Sequence, residues 1–316
     1  MQNLLRIGTR GSRLAMIQAE GVAAALRGRT PGLEVRVEAF RTEGDRDRAT
    51  PLVRLPGIGF FVKELEAALL DGRIDLAVHS MKDVPTQVPD GLDAAAAVPE
   101  RADPRDCLVT VGGLRLEDLP HGAIVGSSSP RRRAMLLALR PDLAFVDLRG
   151  NVETRLAKLE AGVCRATILA RAGLDRLGLV GPRMVTLEPE VLLPAAGQGA
   201  LALECRARDE AVRRAVAPLD HAATRAAVVA ERALVGRLGA GCRTPLGVLG
   251  QVDPQGRLVL DAYLVAPNGR EALRRRTMGP TGQAERLGAA LAETLLAAGA
   301  ARFIAMAAAL RGDADV

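Results

Sequence analysis

The sequence predicts an α/β protein made of two related α/β units followed by a smaller α+β unit. Strand and helix patterns alternate through residues 4–80, as they do in a parallel sheet with crossover helices. A strand that runs into a turn of Gly, Ser and Arg and then into a helix occurs at residues 9–12 and again at 127–132. After residue 217, consecutive strand patterns are joined by hairpin turns, which indicates an antiparallel sheet.

The first unit begins with a strand at residues 4–9, which Gly11 ends, and Ser12 is placed to cap the next helix. Residues 34–40 read EVRVEAF and alternate with period two, the pattern of a strand. Residues 41–59 are polar and then rich in Gly and Pro, and we interpret this long irregular segment as a lid. The remaining elements are a helix at residues 61–70 and a short apolar strand at residues 74–80.

The later units are predicted in the same way. In the second unit, strands are predicted at residues 123–126, 144–148 and 166–170. One helix is predicted to follow residues 127–133 and to run to about residue 140, and another is predicted at residues 153–161. In the third unit, a helix at residues 221–238 precedes strands at residues 246–252, 257–265 and 271–277. One or two Ala-rich helices close the chain.

The composition favours a folded protein with several domains. The chain has 316 residues, which at about 100–200 residues per domain suggests two or three domains. Apolar residues make up 48% and charged residues 25%, so a sizeable core can form. No apolar run approaches the roughly 18 residues of a membrane span, and residues 1–6 do not resemble a signal peptide, so we expect a cytoplasmic protein.

The net charge of +6 would permit an anionic partner, and nucleic acid is one alternative. With no Trp, one Tyr and five Phe, the chain has few side chains for a base-stacking platform, which counts against this alternative. Steeply salt-dependent DNA binding would support it. Arg is common throughout the sequence, so only clusters of Arg at defined places carry information.

The four cysteines form no CxxC pair and the three histidines are scattered, so no metal site is predicted. Cys107, Cys164 and Cys205 lie in apolar, strand-like segments and are interpreted as structural. Cys242 lies in the turn Gly-Ala-Gly-Cys-Arg-Thr-Pro, where the neighbouring Arg243 favours a nucleophilic thiolate. The alternative interpretation is that Cys242 is simply a packed residue of the turn.

Three turns at strand ends are predicted to bind anions. Backbone N–H groups at a helix N-terminus and the guanidinium of Arg both suit carboxylates. Each turn follows a strand, where open α/β sheets bind ligands, although ordinary solvated helix starts are the alternative. The turns contain Arg10 and Ser12, then Ser128, Ser129, Arg131 and Arg132, then Arg149, Asn151, Thr154 and Arg155.

Two other segments are candidates for function. Residues 79–85 read HSMKDVP, begin at a strand end and turn at Pro85. Asp83, beside Lys82, is placed to stabilise a developing cation or to transfer protons, and an ordinary surface loop is the alternative. Residues 193–200, LPAAGQGA, are rich in Gly and form a candidate hinge.

Taken together, these segments resemble the porphobilinogen deaminase family, almost from end to end and in order. The most specific parts are HSMKDVP, the segment LRGNVETR at residues 148–155 and the Gly-Cys turn at residues 241–242. The matching stretches are residues 6–12, 61–66, 77–85, 103–106, 126–132, 148–155, 169–178, 193–206 and 241–245.

The resemblance implies three domains, two of which are similar to type II periplasmic binding proteins with a cleft between them. The third is a small α+β domain with a three-stranded antiparallel sheet, and it carries the cofactor cysteine. The implied domains are residues 1–99 with 199–217, residues 100–198, and residues 218–316.

The resemblance also implies a transferase reaction in which four porphobilinogen molecules are joined head to tail. Ammonia is released at each addition, and the product is the linear tetrapyrrole hydroxymethylbilane. The primer is a dipyrromethane cofactor held by a thioether, for which Cys242 matches the attachment position, and Asp83 matches the catalytic carboxylate. The other matching cofactor positions are Asp83, Lys82, Ser128, Ser129, Arg131 and Arg132. The matching substrate positions are Arg10, Ser12, Ser80, Arg149, Arg155 and Arg176. The family expectation is a monomer with neither a membrane nor a nucleic acid as partner.

The sequence departs from the family pattern in three places. The family lid usually reads Gly-Gly-Lys-Gly, whereas here Ile58 replaces the Lys. Arg54 stands where another lid Lys is common in the family and keeps its positive charge. Pro130 stands where Leu is usual, and this change affects where the next helix is expected to begin. The alternative to the enzyme is a non-catalytic anion-binding module of the periplasmic-binding-protein type, which would leave Cys242 and the third unit unexplained.

Overall fold

The computed structural model describes residues 4–42, 62–241 and 243–309. By its internal contacts the chain separates into two compact units. The described residues of the first unit are 4–42, 62–102 and 199–225, and those of the second unit are 103–198, 226–241 and 243–309.

Strands and helices within the described residues are numbered in chain order. The strands are β1 (Leu4–Arg10), β2 (Glu34–Phe40), β3 (Leu76–Ser80), β4 (Leu92–Ala97), β5 (Asp106–Thr110), β6 (Ile124–Gly126), β7 (Ala144–Val146), β8 (Ala166–Ala170), β9 (Met184–Leu187), β10 (Leu201–Arg206), β11 (Leu246–Val252), β12 (Arg257–Val265) and β13 (Ala272–Pro280). The helices are α1 (Arg13–Arg29), α2 (Lys63–Leu70), α3 (Pro130–Leu139), α4 (Val152–Glu160), α5 (Arg171–Leu177), α6 (Glu210–Val216), α7 (Ala222–Leu238), α8 (Ala284–Ala297) and α9 (Ala300–Ala309).

The first unit contains a five-stranded sheet in the order β2-β1-β3-β10-β4. β1 is parallel to β2 and β3, whereas β10 is antiparallel to β3 and β4. Gly8 in β1 allows α2 to pack closely, because a Cβ there would lie 2.4 Å from Ile74 Cδ1 and 2.9 Å from Leu65 Cδ2. Because β1 and β3 are parallel neighbours in this sheet, their carboxyl ends lie side by side.

The second unit contains a five-stranded sheet in the order β7-β6-β8-β5-β9. β6 is parallel to β7 and β8, and β5 is antiparallel to β8 and β9. The two sheets share one strand order. Three parallel strands are followed by a fourth strand antiparallel to them, and then by an outer strand that is antiparallel to the fourth. This shared order confirms the prediction of two related α/β units.

The second unit also contains the sheet β11-β12-β13, which is antiparallel throughout. Helices α7, α8 and α9 cover its core, where Leu234, Leu291 and Phe303 are buried. α8 approaches α7 closely, because a Cβ on Gly288 would lie 2.2 Å from the carbonyl oxygen of Ala230. The predicted small antiparallel sheet is thus confirmed.

The predicted fold class is confirmed in its α/β units and its three-stranded sheet, whereas the three-domain boundaries stay a prediction. Pro130 occupies the first turn of α3, where its missing N–H costs no helical hydrogen bond, and Ser129 caps the helix. Across the described residues, no single helix is long and apolar enough to cross a membrane. One bent pair, residues 281–297 with 300–309, meets the length and composition test together.

Candidate active site

The carboxyl ends of β1 and β3 hold the predicted site residues of the first unit. Because these strands are parallel neighbours, their carboxyl ends lie at the same edge of the sheet. Arg10 is half-buried at the end of β1, and Ser12 Oγ accepts a hydrogen bond from Ala15 N at 3.2 Å. At the end of β3, Gln18 Nε2 donates to Ser80 Oγ at 3.3 Å. The two serine hydroxyls therefore both contribute to the local structure.

A short 3₁₀ turn, Met81–Asp83, follows β3 and carries the predicted catalytic carboxylate. Met81 is buried, and its N–H donates to the carbonyl oxygen of Ala200 at 3.0 Å, just before β10. Val84 N donates to Met81 O at 3.1 Å. Lys82 is exposed and Asp83 is half-buried. The turn is thus held by its backbone and by Met81, with both charged side chains at the strand end.

The turn after β6 contains the predicted cofactor residues of the second unit. Ser129 Oγ accepts a hydrogen bond from Arg132 N at 3.4 Å and caps α3. Arg131 and Arg132 lie in the first turn of this helix and are buried. Ser128 Oγ is also buried and has no hydrogen-bonding partner in the described parts of the chain.

Protein acceptors hold the guanidinium groups of Arg131 and Arg132. Arg131 Nη1 donates to Leu193 O at 2.7 Å, and Arg132 Nη1 donates to Ile168 O at 2.8 Å. Their Nη2 atoms donate to the single carboxylate of Asp106, at 2.7 and 2.6 Å. Arg132 Nε is buried and finds no acceptor among the described residues.

The remaining predicted arginines follow β7 and β8. Arg149 and Arg155 are half-buried, and Arg155 Nε donates to Gly150 O at 2.9 Å. Gly150 has a φ of 117°, a backbone conformation that favours glycine. Arg176 lies in α5, and burial lowers the pKa of its guanidinium. Together with Arg131 and Arg132 after β6, these arginines come from segments that follow the three adjacent parallel strands β7-β6-β8.

Cys242 lies outside the described residues, as do Arg54 and Ile58 of the predicted lid. The residues on either side of Cys242 are joined by hydrogen bonds. Thr244 N donates to Gly241 O at 2.9 Å, and Gly241 N donates to Thr244 Oγ1 at 3.2 Å. These two hydrogen bonds connect the described residues before and after the predicted attachment position.

The other three cysteines are buried and free of disulfides. Burial raises the pKa of the thiols of Cys107 and Cys164, and raises that of Cys205 to about 11. A thiol that stays protonated is a poor nucleophile, so these three are poor attachment points. Within the described ranges, no group of three or more His, Cys, Asp or Glu side chains is placed to hold a metal ion.

Sequence reasoning missed three buried carboxylates that organise the two units. Asp106 accepts from the two arginines, and Glu204 pairs with a buried histidine. Glu231 accepts from the backbone N–H groups of Gly197 and Gly250, at 2.6 and 2.7 Å. An acidic residue inside an apolar strand or helix pattern is the signal that points to them, because such residues are rarely buried unless paired.

Two sheets of one strand order, each with Arg and Ser at the ends of parallel strands, define an α/β protein with a candidate anion-binding site in each unit. Residues 5–214 match the family model described as porphobilinogen deaminase, dipyromethane cofactor binding domain. Residues 225–297 match the model described as porphobilinogen deaminase, C-terminal domain. The chain therefore belongs to the porphobilinogen deaminase family.

Curated relatives agree with these matches. The porphobilinogen deaminase of Roseiflexus castenholzii is 48% identical over 305 residues, which cover 96% of this chain and all of that protein. The protein of the same name from Acidothermus cellulolyticus is 50% identical over 303 residues, which cover 94% of this chain and 90% of that protein. The predicted family, the transferase activity in porphyrin biosynthesis and the dipyrromethane cofactor are thus confirmed, and a non-catalytic module is not favoured.

Solved structures give weaker similarities. The periplasmic VFT2 domain of Bordetella pertussis BvgS aligns with a TM-score of 0.41 and 14% identity, over 68% of this chain and 85% of that chain. A substrate binding protein of an amino acid ABC transporter aligns with a TM-score of 0.37 and 13% identity, over 68% of this chain and 91% of that chain. Neither similarity is strong enough to support a functional comparison.

The turn after β6 fits a cofactor that carries carboxylates. Ser128 Oγ and Arg132 Nε are buried donors without partners in the described part of the chain. Two guanidinium groups face one carboxylate at this turn, so one positive charge is left over. Both atoms are donors of the kind that a carboxylate accepts from, and a carboxylate bound at this turn would neutralise that charge.

Proposed function

We propose that this chain joins four porphobilinogen molecules head to tail on a dipyrromethane primer and releases hydroxymethylbilane. Ammonia leaves at each addition, and hydrolysis frees the linear product. The observation that supports this most is the placement of Arg and Ser at the ends of parallel strands in both units. A substrate with two carboxylates on each ring needs such a surface.

The arginines suit this substrate because they do not titrate. A chain of six rings, counting the primer, would carry twelve carboxylates. Guanidinium groups stay charged at all physiological pH values and bind carboxylates through two parallel hydrogen bonds. We assign substrate binding to Arg10, Ser12, Ser80, Arg149, Arg155 and Arg176.

Asp83 is the proposed catalytic residue. Its carboxylate lies at the end of β3, on a turn that Met81 anchors in the core. Positive charge develops at the pyrrole nitrogens during substitution on the ring, and a fixed carboxylate stabilises it. The neighbouring Lys82 is exposed and is assigned to the carboxylates of the cofactor.

Cys242 is the proposed attachment point for the cofactor. When bound, the dipyrromethane supplies the pyrrole carbon to which the first substrate is joined. Ser128, Ser129, Arg131 and Arg132 would hold its carboxylates. Because the primer stays attached to the protein, the growing chain is kept in place between additions.

The test is to incubate the purified chain with porphobilinogen and to measure ammonia and product together. We expect one ammonia per porphobilinogen consumed and four porphobilinogens per product. The intact-mass spectrum should show the holoenzyme without added substrate rings, together with species that are heavier by one or more pyrrole units. Binding of porphobilinogen without ammonia release would support a non-catalytic anion-binding module instead.

We also propose a monomer that acts in the cytoplasm. Three free cysteines, Cys107, Cys164 and Cys205, are typical of a reducing compartment. Light scattering after size-exclusion chromatography tests the oligomeric state, and a dimer mass would contradict the proposal.

A further inference from the structure

Asp106 is the shared acceptor of the two arginines in the turn after β6. It is the first residue of β5, and its side chain is fully buried. Oδ2 accepts from Arg131 Nη2 at 2.7 Å, and Oδ1 accepts from Arg132 Nη2 at 2.6 Å. Gln198 Nε2 also donates to Oδ1, at 3.0 Å. One carboxylate therefore receives three side-chain hydrogen bonds in the interior of the second unit.

The charge of Asp106 is well supported. Burial alone would raise its pKa, but the guanidinium groups of Arg131 and Arg132 hold that pKa well below the usual range of an aspartate. Asp106 is thus ionised, and its negative charge leaves the three-residue group with a net charge of +1. That net charge matches a single ligand carboxylate.

Each guanidinium is fixed at two points. Besides Asp106, Arg131 binds the carbonyl oxygen of Leu193, and Arg132 binds that of Ile168. A planar guanidinium held at both η nitrogens cannot rotate freely, so the direction of its remaining N–H groups is set. In Arg132 this leaves Nε, which is buried and has no acceptor in the described chain.

We propose that Asp106 is a positioning residue for the carboxylate site formed by Ser128, Arg131 and Arg132. It orients both guanidinium groups before the ligand arrives and limits the positive charge at the turn. Preorganised donors bind more tightly because less ordering is needed on binding. This inference depends on the proposed role of these residues in holding the cofactor.

A purely structural role for Asp106 is the competing explanation, and the first unit offers a matched control. Asp75 is also buried and also accepts from two arginines, Arg6 Nη2 at 2.8 Å and Arg206 Nη2 at 3.2 Å. None of these three residues belongs to the proposed site. Asp75→Asn and Asp106→Asn thus change the same kind of contact. Asp106 contacts arginines of the proposed site, whereas Asp75 contacts arginines outside it.

The experiment compares the full-length wild type, Asp106→Asn and Asp75→Asn. Each protein is prepared without cofactor and then incubated with porphobilinogen, at a temperature well below its thermal midpoint. Intact mass gives the rate at which the dipyrromethane adduct appears. We expect both variants to lower the thermal midpoint, whereas Asp106→Asn alone should slow loading, by at least about tenfold, as the loss of one directed charged hydrogen bond predicts.

Three outcomes are distinguishable. Equal loading rates for the two variants would overturn the inference, because Asp106 would then be structural only. Faster loading of Asp106→Asn would also overturn it, because net charge rather than orientation would control binding. A wild type that never gains the adduct would instead contradict the proposed function.

A second variant keeps the test decisive if Asp106→Asn does not fold. Asp106→Glu retains the charge but moves the carboxylate by one methylene. We expect it to load more slowly than the wild type at an unchanged net charge. Loading at the wild-type rate would overturn the positioning role.

Discussion

The imidazole Nε2 of His79 and the carboxylate Oε2 of Glu204 lie 2.9 Å apart, with 3% and 0% of their side chains exposed. Glu66 of α2 is also buried. Burial, followed by the charge of Glu204, raises the pKa of Glu66, whereas the charges of His79 and Lys63 act in the opposite direction. The strand that leads to Asp83 therefore lies in a part of the core that contains ionisable groups.

Glu66→Gln should reveal this raised pKa. Below the ordinary glutamate pKa of about 4.3, Glu66 is neutral in the folded and unfolded states, and the cost of ionising it is absent. As the pH rises through the raised pKa, the folded wild type must ionise a buried carboxyl and loses stability that the variant keeps. The free energy of unfolding of the variant minus that of the wild type should thus increase from pH 4 to pH 7 in urea titrations.

The control for this prediction is Glu100→Gln, which changes an exposed glutamate of the same unit. Its effect on the free energy of unfolding should vary much less with pH. A pH-independent difference for Glu66→Gln as well would show that the pKa of Glu66 is not raised.

Asp83→Asn should fold and carry the cofactor but form little product. The amide has nearly the same shape as the carboxylate but cannot stabilise a cationic ring by charge. We expect product formation to fall by at least about a hundredfold, the usual effect of removing a preorganised electrostatic contact. Asp90→Asn, at an exposed position of the same unit, should keep wild-type rates. Near wild-type turnover of Asp83→Asn would exclude the assigned role.

Cys242→Ser should lose the adduct and the activity together. An alkoxide is far harder to form than a thiolate at neutral pH, so the serine is not expected to attach the cofactor. Peptide mapping of the wild type should place the mass of two pyrrole units on the fragment that contains Cys242. Cys164→Ala, which removes a buried thiol, should keep the adduct. If the mass of two pyrrole units is found on another cysteine, that cysteine is the attachment site instead of Cys242.

Arg149→Leu and Arg155→Leu should slow the later additions. Under the proposed function, each change removes a charged contact to a substrate carboxylate, worth about 1.5–3 kcal/mol, or roughly ten- to a hundredfold in rate. Enzyme species with one to three added pyrroles should accumulate and be visible by intact mass. Arg165→Leu is the control, because Arg165 is exposed and precedes β8 rather than following it. Normal distributions of intermediates in both site variants would argue against carboxylate binding by these arginines.

The strand-end turns were predictable because their signals are local. Ser12, Ser129 and Asn151 each stand just before a helix, and all three accept a backbone hydrogen bond as N-caps. Short side chains with an oxygen acceptor favour that position in any protein. The order of strand, turn and helix was therefore readable from a few neighbouring residues.

Other features depend on contacts between distant residues and could not be read in this way. β4 has the sequence LDAAAA, which has little strand propensity, yet it forms a strand because it pairs with β10. The sequence also indicated that Arg131 and Arg132 face a ligand. Their η nitrogens are largely engaged by Asp106 and by two carbonyl oxygens, and the first of these partners is 25 residues away along the chain.

The place of β10 in the first sheet has a consequence for synthesis of the protein. β10 lies between β3 and β4, although about a hundred residues separate β4 from β10 in the sequence. A ribosome therefore completes all five strands of the second sheet, which end at Leu187, before it makes β10, the last strand of the first sheet. Domains commonly fold in the order in which they emerge, but in this chain the first of the two five-stranded sheets to begin is the second to be completed. A fragment that ends at residue 198 should accordingly show slow amide hydrogen exchange in β5, β6 and β8 and fast exchange in β4.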